Sequence, residues 1–346
     1  MDTSIFRKIR NGYLPNNTEI LDLLRISNYD DLALLAGTAF AIRKAYGKTV
    51  KLTSTIHLTN QCRITPKCKY CGFAAGTSPS GYFHPFFKTD EEIASAAAAI
   101  EDAGIPRVSC SGAYGYGGVQ AVNAARIVKE NTSLELLVNV GSDLTREAVA
   151  SLARYGTETV CCNLETTNKA LFHALKPGET LHQRIHTCEM VTKQGLELSS
   201  GLLIGIGESY EDRIRHLEYL RSFGTLGEIP IMGFNPYPGT PMEHHPACSV
   251  QEQVKTIAVT RILFPEIRIT VPTPTIGPEN LKYPLLAGAD NVATVIPGNY
   301  PLPVQGVGSP AYATRDAVLE VIRSLGLIPQ SVPDLCSLKK CVSSVP

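Results

Sequence analysis

The hydrophobic pattern of the chain changes at about residue 50. From there, short β-branched and apolar runs alternate with longer amphipathic stretches. The runs are LTSTIHL (52–58), RVSCSG (107–112), LELLVNV (134–140), TVCCNLE (159–165), LELSSGLLIGIG (196–207), EIPIMGFN (228–235), IRITVP (267–272) and NVATVI (291–296). Between them, DEEIASAAAAIEDAG (90–104) opens on acidic residues and stops at glycine, as a helix should. VQAVNAARIVKE, TREAVASLARYG, LHQRIHTCEMVTKQG, SYEDRIRHLEYLRSFG and VQEQVKTIAVTRILFP repeat the helical period. Most runs lie 25 to 40 residues apart, which suits right-handed β-α-β crossovers and a parallel sheet. The runs are nearly continuous in apolar residues, so both faces of the sheet are expected to be covered. Eight such units predict an α/β fold, a (β/α)8 TIM-type barrel, over residues 51–330. Residues 1–50 read as a helical extension, YDDLALLAGTAFAIRKAYG (29–47) being its clearest amphipathic stretch, and 331–346 as a loosely held tail.

Composition narrows the function classes. Apolar residues make up 44% of 346, enough for a large core, and 32 basic residues balance 32 acidic ones. Without a basic run, nucleic acid and anionic membranes are poor partners, and no stretch reaches the roughly 20 apolar residues that span a bilayer. The opening MDTSIFRKIRNGYLPNNTEI lacks the apolar core of a signal peptide, so a cytoplasmic protein is expected. There, ten cysteines are not expected to form disulfides. Seven of them (Cys110, Cys161, Cys162, Cys188, Cys248, Cys336 and Cys341) read mostly as small core hydrophobes.

The other three fall within ten positions, in NQCRITPKCKYCGF (60–73), directly after the first predicted strand. Active sites of such barrels lie at that end of the strands. A structural zinc site wants four closed ligands, and only one C-x2-C knuckle, Cys68 and Cys71, is present. A [4Fe–4S] cluster takes four cysteines. If the loop supplies Cys62, Cys68 and Cys71 alone, one iron keeps an open position able to bind a substrate or cofactor.

Three cysteines in the first βα loop of a barrel, with an aromatic residue before the last, resemble the radical SAM superfamily. That resemblance implies a [4Fe–4S] cluster whose open iron chelates S-adenosylmethionine, with reductive cleavage to methionine and a hydrogen-abstracting 5′-deoxyadenosyl radical. It is closest to the biotin synthase-like group and carries the following expectations. Tyr70 would lie along the adenine. Ser111 and Gly112 in SCSGAYG (109–115) would receive the methionine ammonium. Asn163 and Glu165 in NLETT (163–167) would hold the ribose hydroxyls, and Arg184 the methionine carboxylate. Leu203 and Ile204 would line the adenine pocket, while Glu208 caps the following helix. NPYPGTPM (235–242) and GADNVATVIPGNY (288–300) match the loops at the sixth and last strands.

The spacing departs from the superfamily's usual C-x3-C-x2-C. Here it is C-x5-C-x2-C, and the two extra residues of RITPK (63–67) should bulge outward. Of the positions that ligate the second, sulfur-donating cluster of biotin synthase, Cys110 remains cysteine, whereas the others fall at Leu137 and Ser199. Sulfur insertion is therefore not expected. The spacing instead resembles HmdB and its methanogen relatives called HcgA, which implies a role in making the pyridinol part of the iron–guanylylpyridinol (FeGP) cofactor of [Fe]-hydrogenase. An [FeFe]-hydrogenase maturase of the same barrel and a metal-knuckle scaffold protein are the alternatives. A small-molecule substrate is expected in the lower barrel, within reach of His57, Tyr114, Tyr116 and PTPTIG (272–277), His57 reading first as a core histidine. An electron donor such as a ferredoxin or flavodoxin is implied.

Overall fold

The computed structural model describes residues 3–75, 85–298 and 313–330. Nine strands form a closed parallel barrel: β1 Thr49–His57, β2 Arg107–Ser111, β3 Glu135–Asn139, β4 Thr159–Cys161, β5 Glu197–Ser199, β6 Leu202–Ile204, β7 Leu226–Gly233, β8 Arg268–Pro272 and β9 Asn291–Ala293. Neighbours pair in sequence order and β9 returns to β1. β5 and β6 are two parts of one stave, broken at Ser200–Gly201, where a Cβ on Gly201 would collide with the Pro230 carbonyl. The barrel thus has eight staves, as the alternation predicts. β10 Val295–Ile296 pairs with β11 Ala313–Thr314, and β12 Ile328–Pro329 pairs with the first residues of β1.

The predicted helices form, Asp90–Asp102 and Leu181–Lys193 each opening on a full capping box. A short helix, Lys169–Leu175, also stands between β4 and Leu181–Lys193. Its seven residues give too little period to read from sequence. Ahead of the barrel lie helices Ser4–Arg10, Asn17–Leu24 and Tyr29–Tyr46. The last packs on Val250–Leu263, and its buried Arg43 ties the helix to β1 by donating to the carbonyls of Ala289, Gly47 and Thr49. Among the described residues no helix is long and apolar enough to cross a membrane. The tail with Cys336 and Cys341 lies outside the described residues.

The barrel interior departs from the apolar expectation. Alternation along β2 turns Arg107, Ser109 and Ser111 inward and Val108 and Cys110 outward, since Arg107 reaches across the lumen to β4 and β7. At the lower end, where strands begin, Arg107 Nη1 lies 2.5 Å from Glu228 Oε2 and Nε 3.2 Å from Glu135; Lys51 Nζ lies 2.5 Å from Glu135. Arg268 bridges Glu228 and Glu197. Thr270 donates to Glu228 at 2.6 Å, Asn291 to Thr270 at 2.8 Å, and Thr159 to Glu197 at 2.8 Å. Three cations and three carboxylates close this floor. The guanidinium of Arg107, ahead of that of Arg268, overcomes the cost of burial and holds Glu228 down to about 2.

Candidate active site

The cysteine loop leaves β1 at the upper end of the barrel. Leu58 N–H donates to Ser111 O at 2.6 Å and Arg63 N–H to Tyr114 O at 2.9 Å, so the loop is fastened to the end of β2. The Tyr116 hydroxyl donates to Gln61 O at 2.9 Å, and the Arg63 guanidinium lies 4.2 Å over the Tyr116 ring. The Tyr114 carbonyl and the Tyr116 side chain thus brace the loop.

The five-residue spacer has a built seat. Thr65 and Pro66 face solvent, in line with an outward bulge, but Ile64 is buried and Lys67 Nζ donates back to Cys62 O. A Cβ on Gly178 would come within 2.3 Å of Pro66 O and 2.7 Å of Ile64 Cγ1, and one on Gly115 within 2.4 Å of Arg63 Cβ. The extra residues thus rest on two glycines. Gly178→Ala pits a side chain against backbone that has no room to yield. It should cost about 1–3 kcal/mol and lower the iron retained per chain after reconstitution, with iron analysis and thermal unfolding as the checks.

The segment after helix Lys169–Leu175 completes the seat. Lys69 N–H donates to Leu175 O at 2.9 Å; Lys176 Nζ donates to the Tyr70 hydroxyl at 3.2 Å and lies 2.9 Å from Glu179 Oε1. Arg184 gives Nε and Nη2 to the same carboxylate at 3.0 and 2.8 Å, and Ser142 donates to its other oxygen at 2.5 Å. Arg184 and Lys176 outweigh burial and hold Glu179 down to about 2. Sequence reasoning missed Lys176 and Glu179, because KPGE reads locally as a solvated turn. Only the fold buries it.

A cavity of about 350 Å³ opens at the strand ends, lined by Tyr70, Cys71, Glu165 and Leu203 together with His57, Asn139, Met232 and Asn235. Phe73 borders both this cavity and a second one, of about 290 Å³, that Cys62 faces. Cys68 lies behind, buried, its thiol pushed up to about 11 by burial. Both non-glycine residues with positive φ among the described ones, Glu165 (64°) and Thr294 (61°), line the larger cavity. Backbone held in this sparsely populated region concentrates at functional sites.

The expected contacts divide accordingly. Leu203 faces the cavity, whereas Ile204, one residue on, turns into the main core. Asn163 lies behind Glu165, accepting from Gly201 N at 2.9 Å, and Arg184 donates to its carbonyl. Arg184, 3.8 Å from Glu165, has its fork on Glu179. A methionine carboxylate there would have to share it. Gly112 spends its N–H on Asn139 O at 2.9 Å, and Ser111 O accepts from Leu58. Glu208 does not cap the next helix: Ser209 does, while Glu208 accepts from Gly205 and Ile206 N–H and pairs with Arg213 at 2.7 Å. His57, read first as a core residue, lines the cavity beside Phe73, and Pro274 and Thr275 of the PTPTIG loop also line it. The outward turn of Cys110 corrects its reading as an interior ligand position. Ser109 faces the lumen in its place.

Among the described residues no three His, Cys, Asp or Glu side chains converge as they do around one metal ion. The thiolates of an iron–sulfur cluster each hold a different iron, so three cysteines on one anchored loop beside an open cavity fit such a group.

Residues 56–220 match the radical SAM superfamily, and residues 230–327 the Biotin and Thiamin Synthesis associated domain. A biotin synthase of Clostridium acetobutylicum is 31% identical over 271 residues, covering 76% of this chain and 80% of that protein. The chain belongs to the radical SAM superfamily. This radical SAM protein is also 56% identical over 322 residues to an uncharacterized protein of Methanocaldococcus jannaschii, covering 93% of this chain and 86% of that one. Its fold matches methylornithine synthase (PylB; TM-score 0.84, 22% identity, 94% of this chain and 97% of that one). It also matches HydG, a maturase of the [FeFe]-hydrogenase (TM-score 0.81, 17% identity, 94% and 75%). It is a radical SAM enzyme, and the superfamily uses a [4Fe–4S] cluster and S-adenosylmethionine. When bound, these supply one-electron cleavage of the sulfonium to a hydrogen-abstracting radical.

Proposed function

We propose that this radical SAM enzyme acts in biosynthesis of the FeGP cofactor of [Fe]-hydrogenase, at the steps that build its pyridinol part. The observation that carries the reading is the C-x5-C-x2-C spacing, which resembles that of HmdB and HcgA and here has a dedicated seat on Gly115 and Gly178. The lumen supports it: Ser109, Leu137 and Ser199 face inward where a sulfur-donating cluster would need thiolates, which argues against a biotin synthase reaction.

In this reading Cys62, Cys68 and Cys71 hold the cluster. Tyr70 and Leu203 flank the adenine, Glu165 takes the ribose hydroxyls with Asn163 orienting the strand end behind it, and Arg184 shares its charge between Glu179 and the methionine carboxylate. Ser111 and Gly112 receive the ammonium. The electron comes from a ferredoxin or flavodoxin.

The test is anaerobic incubation of reconstituted protein with dithionite, S-adenosylmethionine and small molecules extracted from cells that make [Fe]-hydrogenase, followed by mass spectrometry. A pyridinol product formed together with deoxyadenosine is expected. A sulfur-inserted product, or methylornithine, would overturn the assignment.

A further inference from the structure

We propose that the substrate of this barrel is an uncharged small molecule, rich in amide-, lactam- or phenol-type hydrogen-bonding groups, and that His57 and Asn139 read it. The inference deepens the function proposed above and rests on it for the assignment of the Tyr70–Glu165 side of the cavity to the cofactor.

The strand register puts five neutral polar side chains on successive staves. His57 pairs with Ser111, Ser111 with Asn139, Asn139 with Cys161, and Cys161 with Ser199. Each shares the inward parity of a floor residue on its own strand, such as Arg107, Glu135, Thr159 or Glu197. An imidazole, two hydroxyls, an amide and a thiol therefore line a band that descends from the mouth into the lumen. Much of this band is unspent. The His57 ring and the Asn139 amide line the cavity and have no hydrogen-bond partner among the described residues. Ser199 Oγ, wholly buried, has the Cys161 thiol as its polar neighbour. Half-buried polar groups left open in this way are arranged for a ligand that satisfies them.

Positive charge is absent from the same surface. Among the described residues, no lysine or arginine lines the cavity, and its one carboxylate, Glu165, belongs to the part assigned to the cofactor. Below it, Lys51, Arg107 and Arg268 are paired with Glu135, Glu197 and Glu228. Beside it, Arg184 and Lys176 are bound to Glu179. Lys88, whose field acts on His57, has its ammonium 5.3 Å from the centre of the Phe86 ring and lies outside the lining. Burial, helped by Lys88, keeps His57 neutral, its pKa pushed down to about 4. A carboxylate or phosphate entering this chamber would lose its water without gaining a counter-ion, which is strongly unfavourable. A neutral amide or phenol loses little, because each of its polar atoms meets an open partner.

The test compares isosteric pairs on the anaerobically reconstituted holoprotein with S-adenosylmethionine bound, using nicotinamide against nicotinate and benzamide against benzoate, read by saturation-transfer NMR. The neutral member of each pair should bind about tenfold or more tightly than its acid. His57→Phe and Asn139→Leu should each weaken nicotinamide by about tenfold with iron content unchanged. Equal or tighter binding of the acids, or nicotinamide binding indifferent to both substitutions, overturns the proposal. Failure of the cofactor reading would appear separately, as a holoprotein that cannot be loaded with four irons or with S-adenosylmethionine.

Discussion

Cys68→Ala should remove S-adenosylmethionine cleavage altogether while leaving a folded barrel. The thiol is buried in the middle of the loop, between Lys69, which donates to Leu175 O, and the spacer that rests on Gly178. Of the three thiols it is the one most enclosed, so no outside ligand can replace it. Iron should fall from about four per chain to below about one, and deoxyadenosine formed under dithionite should drop by at least about a thousandfold. Unfolding of the iron-free protein should shift by no more than about 1 kcal/mol, since deleting a single sulfur atom next to solvent-facing loop leaves a small void. If Cys68→Ala instead prevents folding while wild-type protein retains a single tightly held zinc, the metal has a structural role and the catalytic reading fails.

The second large effect lies at the opposite end of the barrel. Glu228 is buried between Arg107 and Arg268 and also accepts from Thr270. Glu228→Leu leaves two guanidinium groups short of a counter-charge in a closed lumen, which should cost about 3–5 kcal/mol and lower the melting temperature by about 4–7 °C. Glu130→Ala, which breaks the exposed Arg126–Glu130 pair at 2.7 Å, should cost less than about 0.5 kcal/mol. The contrast separates buried pairing from surface pairing by calorimetry alone.

The same carboxylate sets an acid limit. Its pKa is depressed from 4.5 to about 2 in the folded protein. Its contribution is therefore fully present above about pH 4.5 and is lost as pH falls through 2. Glu179 follows the same course. Circular dichroism of iron-free protein should show stability declining across that window, more shallowly in Glu228→Gln.

The barrel was legible because strand and helix periods alternate along the chain, and the cysteine loop because three thiols at such close spacing have few uses. Orientation was not. Whether Ser109 or Cys110 faces the lumen depends on parity, which is set by pairing across the sheet and not by the run RVSCSG itself. The floor was hidden for a related reason: Arg107, Glu135, Glu197 and Arg268 are single charges at the first or second position of apolar runs, where they read as strand boundaries. Arg184 stood out in the sequence as a candidate, but its pairing with Glu179 did not, because Glu179 belongs to a turn that reads locally as solvated and that the packing of Gly178 on Pro66 brings indoors. Glu165 was singled out by its motif, while the left-handed backbone that presents it has no trace in residue type.

The charged floor also fixes traffic. With the lower end filled, among the described residues, by three ion-paired cations, cofactor and substrate are expected to share the doorway at the strand ends. Whatever occupies the deeper berth has to arrive first and depart last, so the order of turnover is imposed by a set of residues that never approach the reacting atoms.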